Sequence, residues 1–185
     1  MDSFASPTQW ERRLRSEWEI LARLVEANPA RLSETSIRDA QFDLTLLDTA
    51  APGLNGFREG SFSVITQHRV RIVFPEFFPA VPMELSLAEP VAHPNIHPET
   101  RFVCLWNRHR VSHTVEHALH KLVAILGWQL SNSDPEHVMQ QAAHVSMQRE
   151  GARIAAMLAA APLMGILHSS GRALDVDSPR RRRLS

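Results

Sequence analysis

His93-Pro94-Asn95-Ile96-His97-Pro98-Glu99-Thr100-Arg101-Phe102-Val103-Cys104 is the segment from which the fold class can be inferred. It contains the only cysteine of the 185-residue chain, nine residues after Asn95. It also closes a proline-dense region, since six of the twelve prolines lie between Pro75 and Pro98. Proline cannot donate to a strand ladder and breaks helices, so this region is expected to be loop or extended chain. Long irregular segments inside compact domains are often functional. One cysteine excludes an internal disulfide framework and a cysteine-rich zinc site. A lone thiol is either a small buried hydrophobe or a nucleophile, and composition does not decide between them.

Upstream, residues 8–27 read as an amphipathic helix with Trp10, Leu14, Trp18, Leu21 and Val25 on one face. Thr8 and Glu11 form a capping-box pattern, and Asn28-Pro29 ends the helix. Alternation predicts strands over 40–48, 61–74 and 82–88, with a turn-rich connection from Ala51 to Gly60. The aromatic–proline run Phe74-Pro75-Glu76-Phe77-Phe78-Pro79-Ala80-Val81-Pro82 follows the second strand. Downstream, a helix is expected over 112–127, capped by Ser112 and broken by Gly127. Asp134-Pro135-Glu136 is a helix start: carboxylate cap, proline at the first position, acid in the first turn. Gly151 is expected to bend or end that helix, and 152–161 look helical up to Pro162. Helix, antiparallel strands, loop with cysteine, then helices make an α+β domain. The expected division is a catalytic-type domain over 1–150, a helical extension over 151–168 and a disordered basic tail over 169–185.

Charge and hydropathy narrow the function classes. Twenty basic and twenty acidic residues give a formal net charge of zero, which argues against nucleic acid as a partner of the whole surface. The run Arg180–Arg183 reads as a solvated tail. No apolar run approaches the ~20 residues of a membrane span, and the first residues lack a signal-peptide pattern. A cytoplasmic protein with no membrane partner is therefore expected. Lys121 is the only lysine, which GC-rich coding explains along with the many alanines.

In this order the motifs resemble the ubiquitin-conjugating enzymes. That family has an N-terminal helix, a four-stranded meander and an aromatic–proline segment. An HPN tripeptide, the active-site cysteine, a central helix and a DP-containing loop follow. The resemblance runs from about Thr8 to Met147. Three departures mark a divergent member. The gap from Asn95 to Cys104 is one residue longer, Phe78 stands for the usual tyrosine, and Asn107 to Ser112 replaces a Trp-Ser-Pro. The alanine–arginine composition leans towards a bacterial member. Bacterial relatives of this type sit in conjugation systems linked to antiviral defence.

The resemblance implies that Cys104 accepts a ubiquitin-like protein from an activating enzyme as a thioester and passes it to an amine, such as a lysine of a protein substrate. Residue chemistry agrees, because a thiolate attacks a thioester and transthiolation needs positioning more than acid–base help. Amine attack builds negative charge on the carbonyl oxygen, and the Asn95 amide is the candidate donor to it; the alternative is that Asn95 ties down its own loop. Asp134 either orients the amine or caps the 135–149 helix. His93 and Pro94 are read as structural. Arg12, Arg13 and Arg15 are the candidates for docking the activating enzyme, and Phe77, Phe78, Pro79 and Trp106 for a ligase, whose existence cannot be inferred. His113, His117 and His120 share a helical face, read as a polar stripe and not a metal site. No metal or organic cofactor is expected, since ATP is consumed upstream. The alternative function is a catalytically inactive module of the same fold that binds a ubiquitin-like protein or partner.

Overall fold

The computed structural model describes residues 8–58, 61–131 and 137–166. The first helix, α1 (Gln9–Ala27), starts as expected. The Glu11 N–H donates to Thr8 Oγ1 at 3.1 Å and the Thr8 N–H donates back to the Glu11 carboxylate at 2.6 Å. These bonds to Thr8 hold the Glu11 carboxyl below its ordinary range. Asn28 ends the helix. Its expected face packs inwards except at one position: Leu21 is buried and Trp10, Leu14 and Val25 pack against the core, while Trp18 is 46% exposed and Glu17 and Leu24 are buried beside them. One residue turns a helix by about 100°, so facing Glu17 inwards swings Trp18 to the rim. There it lines a shallow pocket with Leu14, Arg15 and Phe42.

Four antiparallel strands follow in the order β1 (Leu32–Arg38), β2 (Gln41–Leu46), β5 (His68–Val73), β6 (Glu84–Leu87). Between β2 and β5, a ribbon of β3 (Ala51–Pro52) and β4 (Val64–Ile65) stands apart as a second sheet. Alternation works where it was strong. Phe42, Leu44 and Leu46 of β2 face inwards, as do His68, Val70 and Ile72 of β5. The expected strand over 61–74 is split, because Thr66 and Gln67 lie between β4 and β5. Strand β1 was not foreseen. Its sequence, LSETSIR, holds two apolar residues, and an edge strand is stabilised by backbone pairing with β2 more than by burial.

The inner face of the sheet shares one core with Leu21 and Leu24 of α1 and with Leu119, Leu122 and Leu126 of α2 (Val115–Leu126). A buried leucine contributes about 1.5–3 kcal/mol. Helix α2 begins after Thr114, not Ser112. Two features meet at this start: Thr114 forms a capping box with His117, and the buried Glu17 carboxylate of α1 accepts the Val115 N–H at 2.7 Å. An acid here also suits the positive end of the helix dipole. Arg13 pairs with Glu17 at 2.8 Å and donates to the His113 carbonyl at 3.1 Å. Burial raises the Glu17 pKa, and the bonds from Val115 and Arg13 oppose it.

The last helix, α3 (Gln141–Leu158), is one continuous element. Gly151 does not end it; the residue is buried against Met147, and the helix runs on to Leu158. The expected start at Asp134-Pro135 lies outside the described residues, and α3 begins only at Gln141. After Ala159, in the left-handed region at φ 45°, the chain returns to α1 and α2. Leu163 enters the core, and the Asn28 side chain bonds both the N–H and the carbonyl of Met164. Arg31 donates to the carbonyls of Ala161 and Pro162, and the Ile166 N–H donates to Glu116. The expected tail over 169–185 lies outside the described residues. No described helix is long and apolar enough to cross a membrane.

Glu17→Ala leaves the buried Val115 N–H without its acceptor and Arg13 without its carboxylate. Urea unfolding is expected to show a loss of about 2–4 kcal/mol. A loss below about 0.5 kcal/mol would mean that the α1–α2 junction does not depend on this carboxylate.

Candidate active site

The stretch from His93 to Cys104 folds as a narrow hairpin against the edge of the sheet. Ile96 and Val103 form a bridge, and the His97 N–H donates to the Phe102 carbonyl at 2.9 Å. At its tip the His97 ring nitrogen Nδ1 accepts the N–H groups of Glu99 and Thr100, and Arg101 takes φ 60°. This turn closes the hairpin between Asn95 and Cys104. The returning limb pairs with β6: the Val103 N–H donates to Leu85 at 2.8 Å and the Leu87 N–H to Arg101 at 3.1 Å. Cys104 therefore stands where a sheet edge, a hairpin and a loop meet. It is half-buried and in no disulfide.

Asn95 and Cys104 are clamped together by two bonds. The Cys104 N–H donates to the Asn95 carbonyl at 2.8 Å, and Asn95 Nδ2 donates to the Cys104 carbonyl at 3.0 Å. Asn95 is 1% exposed. The loop-tying role weighed for Asn95 is thus realised in this geometry, and it places the amide beside the backbone that carries the thiol.

His93 is fully buried and lies edge-on to Trp128, with ring centroids 5.8 Å apart. Its Nδ1 accepts the Asn95 N–H at 3.1 Å, so the neutral ring carries its proton on Nε2. Burial pushes its pKa down to about 3, with the Leu130 backbone offsetting part of the shift. A ring held in this way ties the loop to the Asn95 backbone. Trp128 itself donates its indole N–H to the Ala92 carbonyl at 3.0 Å.

Sequence reasoning passed over Gln140. Its side chain is buried just before α3, and Nε2 donates to the carbonyls of Val91 (2.9 Å) and Ile96 (2.8 Å) while Oε1 accepts the His93 N–H at 3.3 Å. The neighbouring Met139 N–H donates to the Pro94 carbonyl at 2.9 Å. No motif marks a glutamine for such a role, because the need for it arises only from the loop across the fold.

The remaining candidates separate by exposure. Arg12 and Arg15 are exposed on α1, whereas Arg13 turns inwards to Glu17, to the His113 carbonyl and over the Phe78 ring at 5.4 Å. Phe77 is 69% exposed, but Phe78 is core, packed edge-on against Phe74 at 4.9 Å. A groove of about 540 Å³ between α1 and this loop is lined by Trp10, Arg12, Arg13, Phe77 and Pro79. Trp106 is half-buried, stacked on His113 at 4.0 Å with Lys121 Nζ 5.1 Å from its ring. Burial and the neighbouring His109, His117, Arg110 and Lys121 push the His113 pKa down to about 4. His117 faces the Thr114 hydroxyl at 2.8 Å, and His120 faces Glu116 at 3.7 Å. Asp134 lies outside the described residues.

No protein-family model and no curated protein matches this chain. Solved structures do. A ubiquitin conjugating enzyme from Trypanosoma cruzi superposes with a TM-score of 0.55 at 14% identity, over 86% of this chain and 99% of that one. The H. polymorpha ubiquitin conjugating enzyme Pex4p, solved with the soluble domain of Pex22p, gives 0.54 at 13% identity, over 82% and 95%. A protein from Plasmodium yoelii described as a ubiquitin conjugating enzyme gives 0.52 at 17% identity, over 83% and 93%. At such identities the likeness establishes the fold: the chain has the α+β architecture of the ubiquitin-conjugating enzymes.

The buried neutral His93 ties stability to pH. Its folded pKa of about 3 lies below the ordinary 6.5, so its contribution is complete above 6.5 and is lost as pH falls towards 3. Denaturation midpoints at about pH 7.5 and pH 4.5 are expected to lie further apart for the wild type than for His93→Gln. Equal separations would mean that His93 titrates like a free imidazole.

Proposed function

We propose that the protein is a ubiquitin-conjugating-type acyl carrier. The observation that carries this reading is the clamp of Asn95 on Cys104, which holds a buried amide against the backbone that carries the only thiol of the chain. In the first step the Cys104 thiolate attacks the thioester carbonyl of a ubiquitin-like protein held by its activating enzyme. A new C–S bond forms and the enzyme's thiolate leaves. In the second step an uncharged amine of a target, a lysine in the leading reading, attacks the Cys104 thioester. The C–N bond forms, Cys104 leaves as thiolate, and the amine's proton passes to solvent.

Asn95 is assigned the oxyanion of the second step, for which its amide must turn from the Cys104 carbonyl towards the substrate oxygen or serve both. Asp134 is assigned to the amine on resemblance alone. Exposed Arg12 and Arg15 on α1 are the docking residues for the activating enzyme. Phe77 and Pro79 at the groove, with Trp106, are those for a ligase. No metal or organic cofactor takes part in this scheme. The setting we propose is a bacterial conjugation system of the cytoplasm, with antiviral defence as its role; the alanine–arginine composition and the resemblance support it.

Incubation with a cognate activating enzyme, its modifier and ATP is expected to give a band on a non-reducing gel that thiol reductant removes. Cys104→Ala is expected to abolish the band, and Cys104→Ser to replace it with one that resists reductant. No band with a demonstrably active cognate enzyme would favour the inactive binding module. Asn95→Ala is expected to charge normally and to discharge to free lysine about 100-fold more slowly. Discharge at the wild-type rate would remove Asn95 from the chemistry.

A further inference from the structure

We propose that Gln140 is a positioning residue for acyl transfer from Cys104, acting through Asn95. The inference rests on the reading of Cys104 as a thioester carrier. It starts from the backbone of Val91–Ile96, an irregular segment whose residues are buried from Val91 to Ile96. Each polar backbone group there needs a partner, because an orphan in the interior costs about 1–3 kcal/mol. Some partners are internal: the Asn95 N–H goes to His93 Nδ1 and the Asn95 carbonyl to the Cys104 N–H. Three groups that remain, the His93 N–H and the carbonyls of Val91 and Ile96, all go to the one Gln140 amide. Both of its amide protons and one face of its oxygen are used.

These anchor points bracket Asn95 on either side in sequence. Among the twenty side chains, the choice is narrow. The span needs two donors and an acceptor at the end of a two-methylene stem. A glutamate would face two carbonyl oxygens with a carboxylate, and an asparagine falls one methylene short. The Met139 N–H on the Pro94 carbonyl makes the same docking from the adjacent residue. The entrance of α3 thus takes the place of a neighbouring strand and sets where the Asn95 side chain stands relative to Cys104. Losing it leaves the thiol itself in place, because the limb that carries Cys104 is paired to β6 through Val103.

The expected signature is a split between loading and discharge. Cys104 can be loaded without any partner protein by exchange with a glycine-ended peptide thioester of 2-mercaptoethanesulfonate. The Cys104 thiolate forms the new C–S bond and the small thiol leaves, and the single cysteine makes the site unambiguous. Free lysine at about pH 8 then supplies the amine. Gln140→Met, close in volume and unable to hydrogen-bond, is expected to load to wild-type yield and to discharge about tenfold or more slowly. Asn95→Ala is expected to show the same split, and the double variant to be no slower than the slower single one, since both act on one group.

A merely structural glutamine would instead lower loading and discharge together, or leave discharge unchanged in folded protein. Slow discharge in Asn95→Ala beside wild-type discharge in folded Gln140→Met overturns the inference and leaves the carrier reading intact. Multiplicative slowing in the double variant overturns it as well. A wild-type protein that never loads overturns the carrier reading, and the inference with it. If Gln140→Met does not fold, Gln140→Asn takes its place with the same expected split. Amide exchange gives a readout independent of loading: the His93 and Asn95 N–H groups are expected to lose protection while those of α2 keep theirs.

Discussion

A backbone that leaves a sheet must find its hydrogen bonds elsewhere, and the segment from Val91 to Cys104 finds them without a regular ladder. Asn95 gives its carbonyl to Cys104 and takes the His93 ring on its own N–H. The returning limb borrows Leu85 and Leu87 of β6, and the outgoing limb borrows Met139 and Gln140. Every placement that matters for the thiol follows from this sharing. Proline at 94 suits such a loop because it removes one donor that would need a partner. The neutral His93 ring supplies an acceptor where no carbonyl is available.

The same economy joins the helices. Glu17 reaches from α1 to the first N–H of α2, and Arg13 reaches to the turn before it. A buried carboxylate is costly unless bonded, and here it has both a cation and a helix terminus. The turn that Arg13 holds contains His113, which stacks on Trp106, two residues beyond Cys104. The arginine cluster read from the sequence therefore divides into one residue that builds the domain and two, Arg12 and Arg15, that face outwards.

What could be read in advance was whatever the local chain determines. The Thr8–Glu11 cap, the alternation of Phe42, Leu44 and Leu46, and the stop at Asn28 depend on neighbours a few residues away. The order of motifs around the HPN tripeptide and the cysteine pointed to the fold class that the solved structures share at 13–17% identity. What could not be read depends on partners distant in sequence. LSETSIR is a strand because β2 pairs with it, not because it is apolar. Ser112 is a reasonable cap, yet α2 begins after Thr114, where Glu17, 98 residues before Val115, accepts the first N–H of the helix. Gly151 looks like a break, but its missing side chain lets Met147 lie close, and the helix continues. Gln140 is silent in the sequence because its three partners lie 44–49 residues away.

Helix α3 is held at both ends by the same kind of bond. At its entrance Gln140 grips the loop of Asn95. Beyond its exit, Asn28 grips Met164 and Glu116 grips Ile166, so the strap is fastened to the two helices that flank the core. The helix behaves as a strut between a fastening and a catch. Shortening the chain before Leu163 would free one end of that strut and leave the other fastened only at the loop of Asn95.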